Sequence, residues 1–186
     1  HATGIMGNEG RGVAEHFHLE KQIDVIMGTL SKAFGLQGGF VCGSRKLVDY
    51  LVNKARSFIY TTGLAPMIAA GALKSLELIR TRPELREQLW KNTNYIKEKL
   101  LEKKLNIGAT ESPIIPILIN SQFPTPNPRS KNSTELALEL SRKLFEQGIY
   151  VPAIRYPTVA KDEARLRVSV MATHTEADLG KLLRAL

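Results

Sequence analysis

The sequence predicts an α/β fold, and three observations carry that prediction. Short apolar runs bounded by glycine occur at 23–30 ("IDVIMGTL") and 38–44 ("GGFVCGS"), and both read as buried strands. Longer stretches carry apolar residues at helical spacing. The segment 164–172, "ARLRVSVMA", alternates as a half-buried strand does.

Taken in order, the chain opens with glycine-rich "HATGIMGNEGRG", followed by the two apolar runs and a loop between them. A helix is expected from about Arg45 to Arg56, then "SFIYTTG" as a brief strand or extended turn, then an apolar helix from Pro66 to about Arg80. Pro83 suits the first turn of a long helix with Leu85, Leu89, Ile96 and Leu100 on one side, a helix placed to bridge two parts of the structure. Beyond it lies a compact α/β unit. "PIIPILIN" (113–120) reads as a strand, "QFPTPNPRSKN" as a polar loop, and Asn132 with Glu135 as a helix start ahead of Leu136, Leu140 and Leu144. Gly148 ends that helix; "IYVPAI" is a further strand; Thr175 and Asp178 cap a last helix carrying Leu179, Leu182, Leu183 and Leu186. A composition shift near 95–110 marks the expected boundary between residues 1–95 and 96–186.

The composition excludes several classes. With 43% hydrophobic and 24% charged residues, the 186-residue chain can bury a real core, and no apolar run is long enough to span a bilayer. The net charge of +8 raises the question of nucleic acid, but residues 80–104 mix Lys and Arg with Glu at helical spacing, as a solvated face does. An acidic protein partner suits such a surface better. One cysteine, Cys42, excludes an internal disulfide framework, fits a cytoplasmic location, and reads as a core residue of its strand. His16 and His18 lack a third ligand, and no metal site is expected. His174 reads as a surface cap.

Lys32 stands alone in "GTLSKAFGLQGGF", without another charge for several residues either way. A lysine among apolar and small groups is poorly hydrated, and desolvation favours its neutral, nucleophilic amine. Thr29 and Ser31 offer hydroxyls on the same turn, while Gly35, Gly38 and Gly39 would allow close approach of a planar ligand. An exposed loop lysine is the alternative. A nucleotide-phosphate loop at "GNEGRG" lacks the Lys-Ser/Thr ending that such loops use, so its glycines are read as shaping a turn.

Three separated stretches, "HATGIMGNEGRG", "TLSKAFGLQGGF" and "YPTVAKDEARLRVSVMATHT", together resemble the α-oxoamine synthase family of fold-type I pyridoxal 5′-phosphate enzymes, across essentially the whole chain. The resemblance implies the C-terminal part of that fold: the end of the large cofactor-binding domain at 1–95 and a small α/β domain at 96–186. It implies that Lys32 carries the cofactor in Schiff-base linkage, that His1 sits near the cofactor's phenolic oxygen, and that Thr29 contacts its phosphate. Thr62, with Thr61 as second choice, would reach the phosphate bound by a partner subunit, making a homodimer with shared sites. Arg167 would clamp the substrate carboxylate, its neighbour Arg165 being the competing assignment, and Thr158 would contact substrate. A planar guanidinium suits the task because it binds a carboxylate bidentately and stays charged.

The implied reaction is decarboxylative condensation of an amino acid with an acyl thioester. Details of "HATG" and "PTVAKDEARLRVSVMATHT" point to L-alanine and a pimeloyl thioester, on CoA or acyl carrier protein, in biotin biosynthesis; glycine with acetyl-CoA is the runner-up. A module that kept the fold and lost the chemistry is the reading from another class. The family's pyridine-nitrogen aspartate is expected just upstream of His1. The stretch, opening inside a motif, reads as an excerpt.

Overall fold

The computed structural model describes residues 1–119 and 132–186, which place α1 at Val13–His16, β1 at Val25–Thr29, β2 at Gly39–Gly43, α2 at Arg45–Lys54, α3 at Arg56–Ile59, α4 at Pro66–Thr81 and α5 at Pro83–Glu102. These are followed by β3 at Ile114–Leu118, α6 at Ser133–Glu146, β4 at Ala153–Ile154, β5 at Arg165–Ser169 and α7 at Glu176–Ala185. The loop expected across 122–132 falls, except for Asn132, outside the described residues.

Helix starts follow the local chemistry. Ser44 Oγ accepts the Leu47 amide at 3.2 Å, and Asn132 accepts the Glu135 amide at 3.0 Å. Thr175 and Asp178 form a reciprocal capping box at α7, and Pro66 opens α4.

The chain divides into two compact units, His1–Arg86 and Glu87–Leu186. The division falls inside α5, nine residues before the position that the composition shift marks, because Asn92, Thr93, Ile96 and Leu100 of that helix are all buried in the second unit.

In the first unit, β1 and β2 form an antiparallel pair with Gly28 opposite Phe40 and Thr29 opposite Gly39. The expectation that these strands are buried is corrected: Val25, Met27 and Val41 are exposed, and so is Cys42, which is not a core residue. Among the described residues, β1 and β2 pair only with each other. "SFIYTTG" is also corrected, since its first three residues belong to the helical turn α3. The buried hydrophobic residues of this unit are Leu30 and Phe34, both in the loop between the strands.

The second unit holds a three-stranded antiparallel sheet in the order β3-β5-β4, with Pro116 opposite Arg167, and Leu118 and Ile154 both opposite Arg165. "IYVPAI" contributes only the two residues of β4. Alternation on β5 puts Leu166 and Val168 into the core with Ile115 and Ile117 of β3, Leu144 of α6, and Leu179 and Leu182 of α7. Arg165 and Arg167 occupy the opposite face. Ile117 is fully buried, so Ile117→Ala is expected to cost about 2–5 kcal/mol by losing apolar burial and leaving a cavity. Urea unfolding measures this, and a loss below about 1 kcal/mol would show that the site collapses around the deletion.

Candidate functional site

The lysine loop is a closed turn. Leu30 N donates to Gly38 O at 2.9 Å, Leu36 N to Leu30 O at 2.7 Å, and Gly35 N to Lys32 O at 2.9 Å. Thr29 Oγ1 lies 2.7 Å from Ser31 Oγ and accepts the Ser31 amide at 3.1 Å, so the hydroxyl pair is held at the loop's entry. At Gly38 and Gly39 the close backbone and side-chain approach itself requires glycine. Gly38 has φ +120°, and a Cβ there would sit 3.0 Å from Leu64 Cδ1; one at Gly39 would sit 3.0 Å from the Gly28 carbonyl.

The opening segment is a second closed loop. Gly4 N donates to Gly10 O at 2.7 Å and Gly12 N to Met6 O at 2.9 Å, with Gly4, Gly7, Gly10 and Gly12 all at positive φ. Glu15 on α1 holds it, accepting the Glu9 and Arg11 amides at 2.9 Å each. Burial acts to raise the Glu15 carboxyl, but those two amides, with the guanidiniums of Arg11 and Arg86, prevail and hold it below the ordinary value of 4.5. A lowered carboxyl contributes stability above its unfolded value and loses it as pH falls through its folded one. The loop is therefore expected to loosen in acid, below about pH 4.5. Titration of the Glu9 and Arg11 amide resonances checks this; a Glu15 midpoint at or above that of solvated glutamates would contradict it.

These loops bring His1, Thr3, Thr29 and Lys32 to one open cavity of about 220 Å³, floored by Met27 and Gly28. Lys32 is exposed there, which corrects the expectation of a poorly hydrated side chain. Its apolar sequence neighbours Leu30 and Phe34 turn into the unit, whereas Lys32 points away from them. Thr3 lines the same cavity, although its sequence context carries no signal beyond the motif that contains it. Thr61 and Thr62 are exposed and do not line it.

In the second unit, Arg165 and Arg167 differ in what engages them. The Arg165 guanidinium donates to Glu163 Oε2 and to the Glu163 carbonyl, each at 3.1 Å. The Arg167 guanidinium forms no ion pair among the described residues and lines a groove of about 470 Å³ with Tyr150, Ser169 and His174. Thr158 is exposed outside that groove. His174 caps a turn rather than a helix: its Nδ1 accepts the Met171 amide at 3.2 Å.

The sequence profile of the family described as aminotransferase class I and II matches residues 1–186. The chain belongs to that family. It is 40% identical over 185 residues to the 8-amino-7-oxononanoate synthase of Thermoanaerobacter pseudethanolicus, covering 100% of this chain and 44% of that protein. Among solved structures, one of SPT with a PLP internal aldimine matches at a TM-score of 0.87 and 32% identity, covering 100% of this chain and 44% of the other. The 8-amino-7-oxononanoate synthase of Francisella tularensis matches at 0.81 and 33%, covering 100% and 51%. The chain thus spans about half the length of the proteins it matches, and its fold is that of fold-type I pyridoxal phosphate enzymes.

Pyridoxal phosphate is the cofactor of this family, and the donor set fits it. An amine, an imidazole and the Thr29 hydroxyl at a single cavity match the aldehyde, phenolic oxygen and phosphate that the group presents. Among the described residues no cluster of His, Cys, Asp or Glu is placed to hold a metal, and no helix is long and apolar enough to cross a membrane.

Proposed function

We propose that the complete enzyme joins L-alanine to a pimeloyl thioester with loss of carbon dioxide, giving 8-amino-7-oxononanoate for biotin biosynthesis. The observation that carries this reading is the convergence of Lys32, His1 and Thr29 on one cavity, in a chain whose relatives bear that enzyme's name.

Lys32 would supply the amine that holds the cofactor, with Thr29 assigned to its phosphate and His1 to its phenolic oxygen. When bound, the cofactor supplies an electron sink for the carbanion that forms at the amino acid's α-carbon. The Lys32 amine, when not engaged by the cofactor, would take the α-proton as general base. Arg167 receives the substrate carboxylate. It is better suited than Arg165, whose guanidinium is already occupied by Glu163. Thr158 is assigned to the substrate and Thr62, or Thr61, to the phosphate of a partner subunit in a homodimer.

The thioester is carried by CoA or by acyl carrier protein. A net charge of +8 favours an acidic carrier, whose affinity would fall with added salt. The proposed setting is the cytoplasm, and residues 1–95 and 96–186 are assigned to the large and small domains.

The deciding assay gives the complete enzyme three pairs: L-alanine with a pimeloyl thioester, glycine with acetyl-CoA, and L-serine with palmitoyl-CoA. The third pair is included because the structural likeness extends to serine palmitoyltransferase. Preference for the first supports the proposal, and preference for either other pair overturns it.

A further inference from the structure

We propose that Ser75 is a positioning residue for Lys32, acting through the carbonyl of Phe34; this rests on the reading of Lys32 as the cofactor-holding amine. The lysine loop is closed by its own hydrogen bonds, but closure alone does not anchor it to the unit. Among the described residues, the hydrogen bond from outside the loop and its two strands is donated by Ser75 Oγ on α4 to Phe34 O, at 2.9 Å. Phe34 is buried and stands two residues after Lys32, next to the Gly35 amide that closes the turn onto the Lys32 carbonyl.

Ser75 is the middle of a stripe. Gly71, Ser75 and Ile79 recur every four residues and so lie along one face of α4. A Cβ at Gly71 would meet both Leu36 methyls at 3.1 Å, so the glycine lets the far limb of the loop pack onto the helix. Ile79 lies beside Gly4, as Ala33 does, since a Cβ at Gly4 would lie 3.0 Å from Ala33 Cβ and 3.2 Å from Ile79 Cδ1. One helical face therefore touches Leu36, Phe34 and the neighbourhood of Ala33. These contacts all fall on the limb of the loop that follows the lysine, beside the segment that carries His1. Removing the Ser75 hydroxyl leaves a half-buried carbonyl without its donor and frees the turn to shift.

The test uses the complete enzyme loaded with pyridoxal phosphate. Ser75→Ala is expected to slow cofactor attachment to Lys32, read as borohydride-fixed label on the Lys32 peptide, and to shift the pH midpoint of the bound cofactor's absorbance band. Turnover is expected to fall about tenfold with KM for the amino acid changed by less than about twofold, as a misplaced reacting group behaves. Ser75→Thr restores all three readouts. Wild-type attachment and spectrum in Ser75→Ala, or equal impairment in Ser75→Ala and Ser75→Thr, would overturn the proposal. If Ser75→Ala does not fold, Ser75→Cys decides, because a thiol fills the same space but is a weak donor; slowed attachment supports the proposal and a wild-type rate refutes it. Failure of the wild-type enzyme to take label at Lys32 is a separate result, and removes the reading on which this inference stands.

Discussion

Lys32→Ala in the complete enzyme is expected to abolish the cofactor's attachment and to lower turnover by at least the 10²–10⁴-fold that a positioned general base contributes, roughly, on its own. The reason is that one amine serves twice, as the cofactor's anchor and as the acceptor of the α-proton. Loss of one role cannot be offset by the other. Among the described residues, Lys32 is the lysine that lines the cavity with His1 and Thr29. Lys32→Arg separates charge from nucleophilicity: a guanidinium keeps the positive charge but has no free amine, and it is expected to be as inactive as alanine. Absorbance of the cofactor-loaded protein, with steady-state turnover, measures both. Turnover within about tenfold of wild type in Lys32→Ala would show that the proton is taken elsewhere.

Arg167→Ala is expected to raise KM for the amino acid about 10- to 100-fold, the range that a hydrogen bond to a charged group sets at about 1.5–3 kcal/mol. Arg165→Ala should change it little, because the Arg165 guanidinium is committed to Glu163 at 3.1 Å and contributes an exposed ion pair. The pair of variants makes the assignment specific. Arg167→Lys keeps the charge and loses the planar fork, so its KM should fall between wild type and alanine. A larger rise for Arg165→Ala than for Arg167→Ala would reverse the assignment.

The fold was legible wherever a local rule acts without help from distant residues. Ser44, Asn132 and the Thr175–Asp178 box begin helices because their side chains reach amides three residues on, and such caps are written in the sequence. The alternation of "ARLRVSVMA" likewise fixes which side of β5 enters the core. Burial was less legible. The apolar runs around β1 and β2 read as buried strands, yet most of their side chains are exposed in this chain, which spans about half the length of its relatives. Cys42 followed the same error.

The candidate site divides in the same way. His1, Thr29 and Lys32 could be grouped through the resemblance of their motifs, and the structure places them at one cavity. The exposure of Lys32 was not legible, since its neighbours in sequence are apolar but turn their side chains away from it. Ser75 was invisible for a plainer reason: it lies 41 residues from Phe34, and a serine in mid-helix carries no mark of the carbonyl it will meet. The preference for Arg167 over Arg165 came from the resemblance, and what the structure adds is a physical difference between them: Glu163 engages Arg165.

The most direct measurement is borohydride reduction of the complete, cofactor-loaded enzyme followed by peptide mapping. The label is expected on the peptide that contains Lys32, in near-stoichiometric amount. Label on any other lysine, or none at all, would contradict the central claim that this amine holds the cofactor.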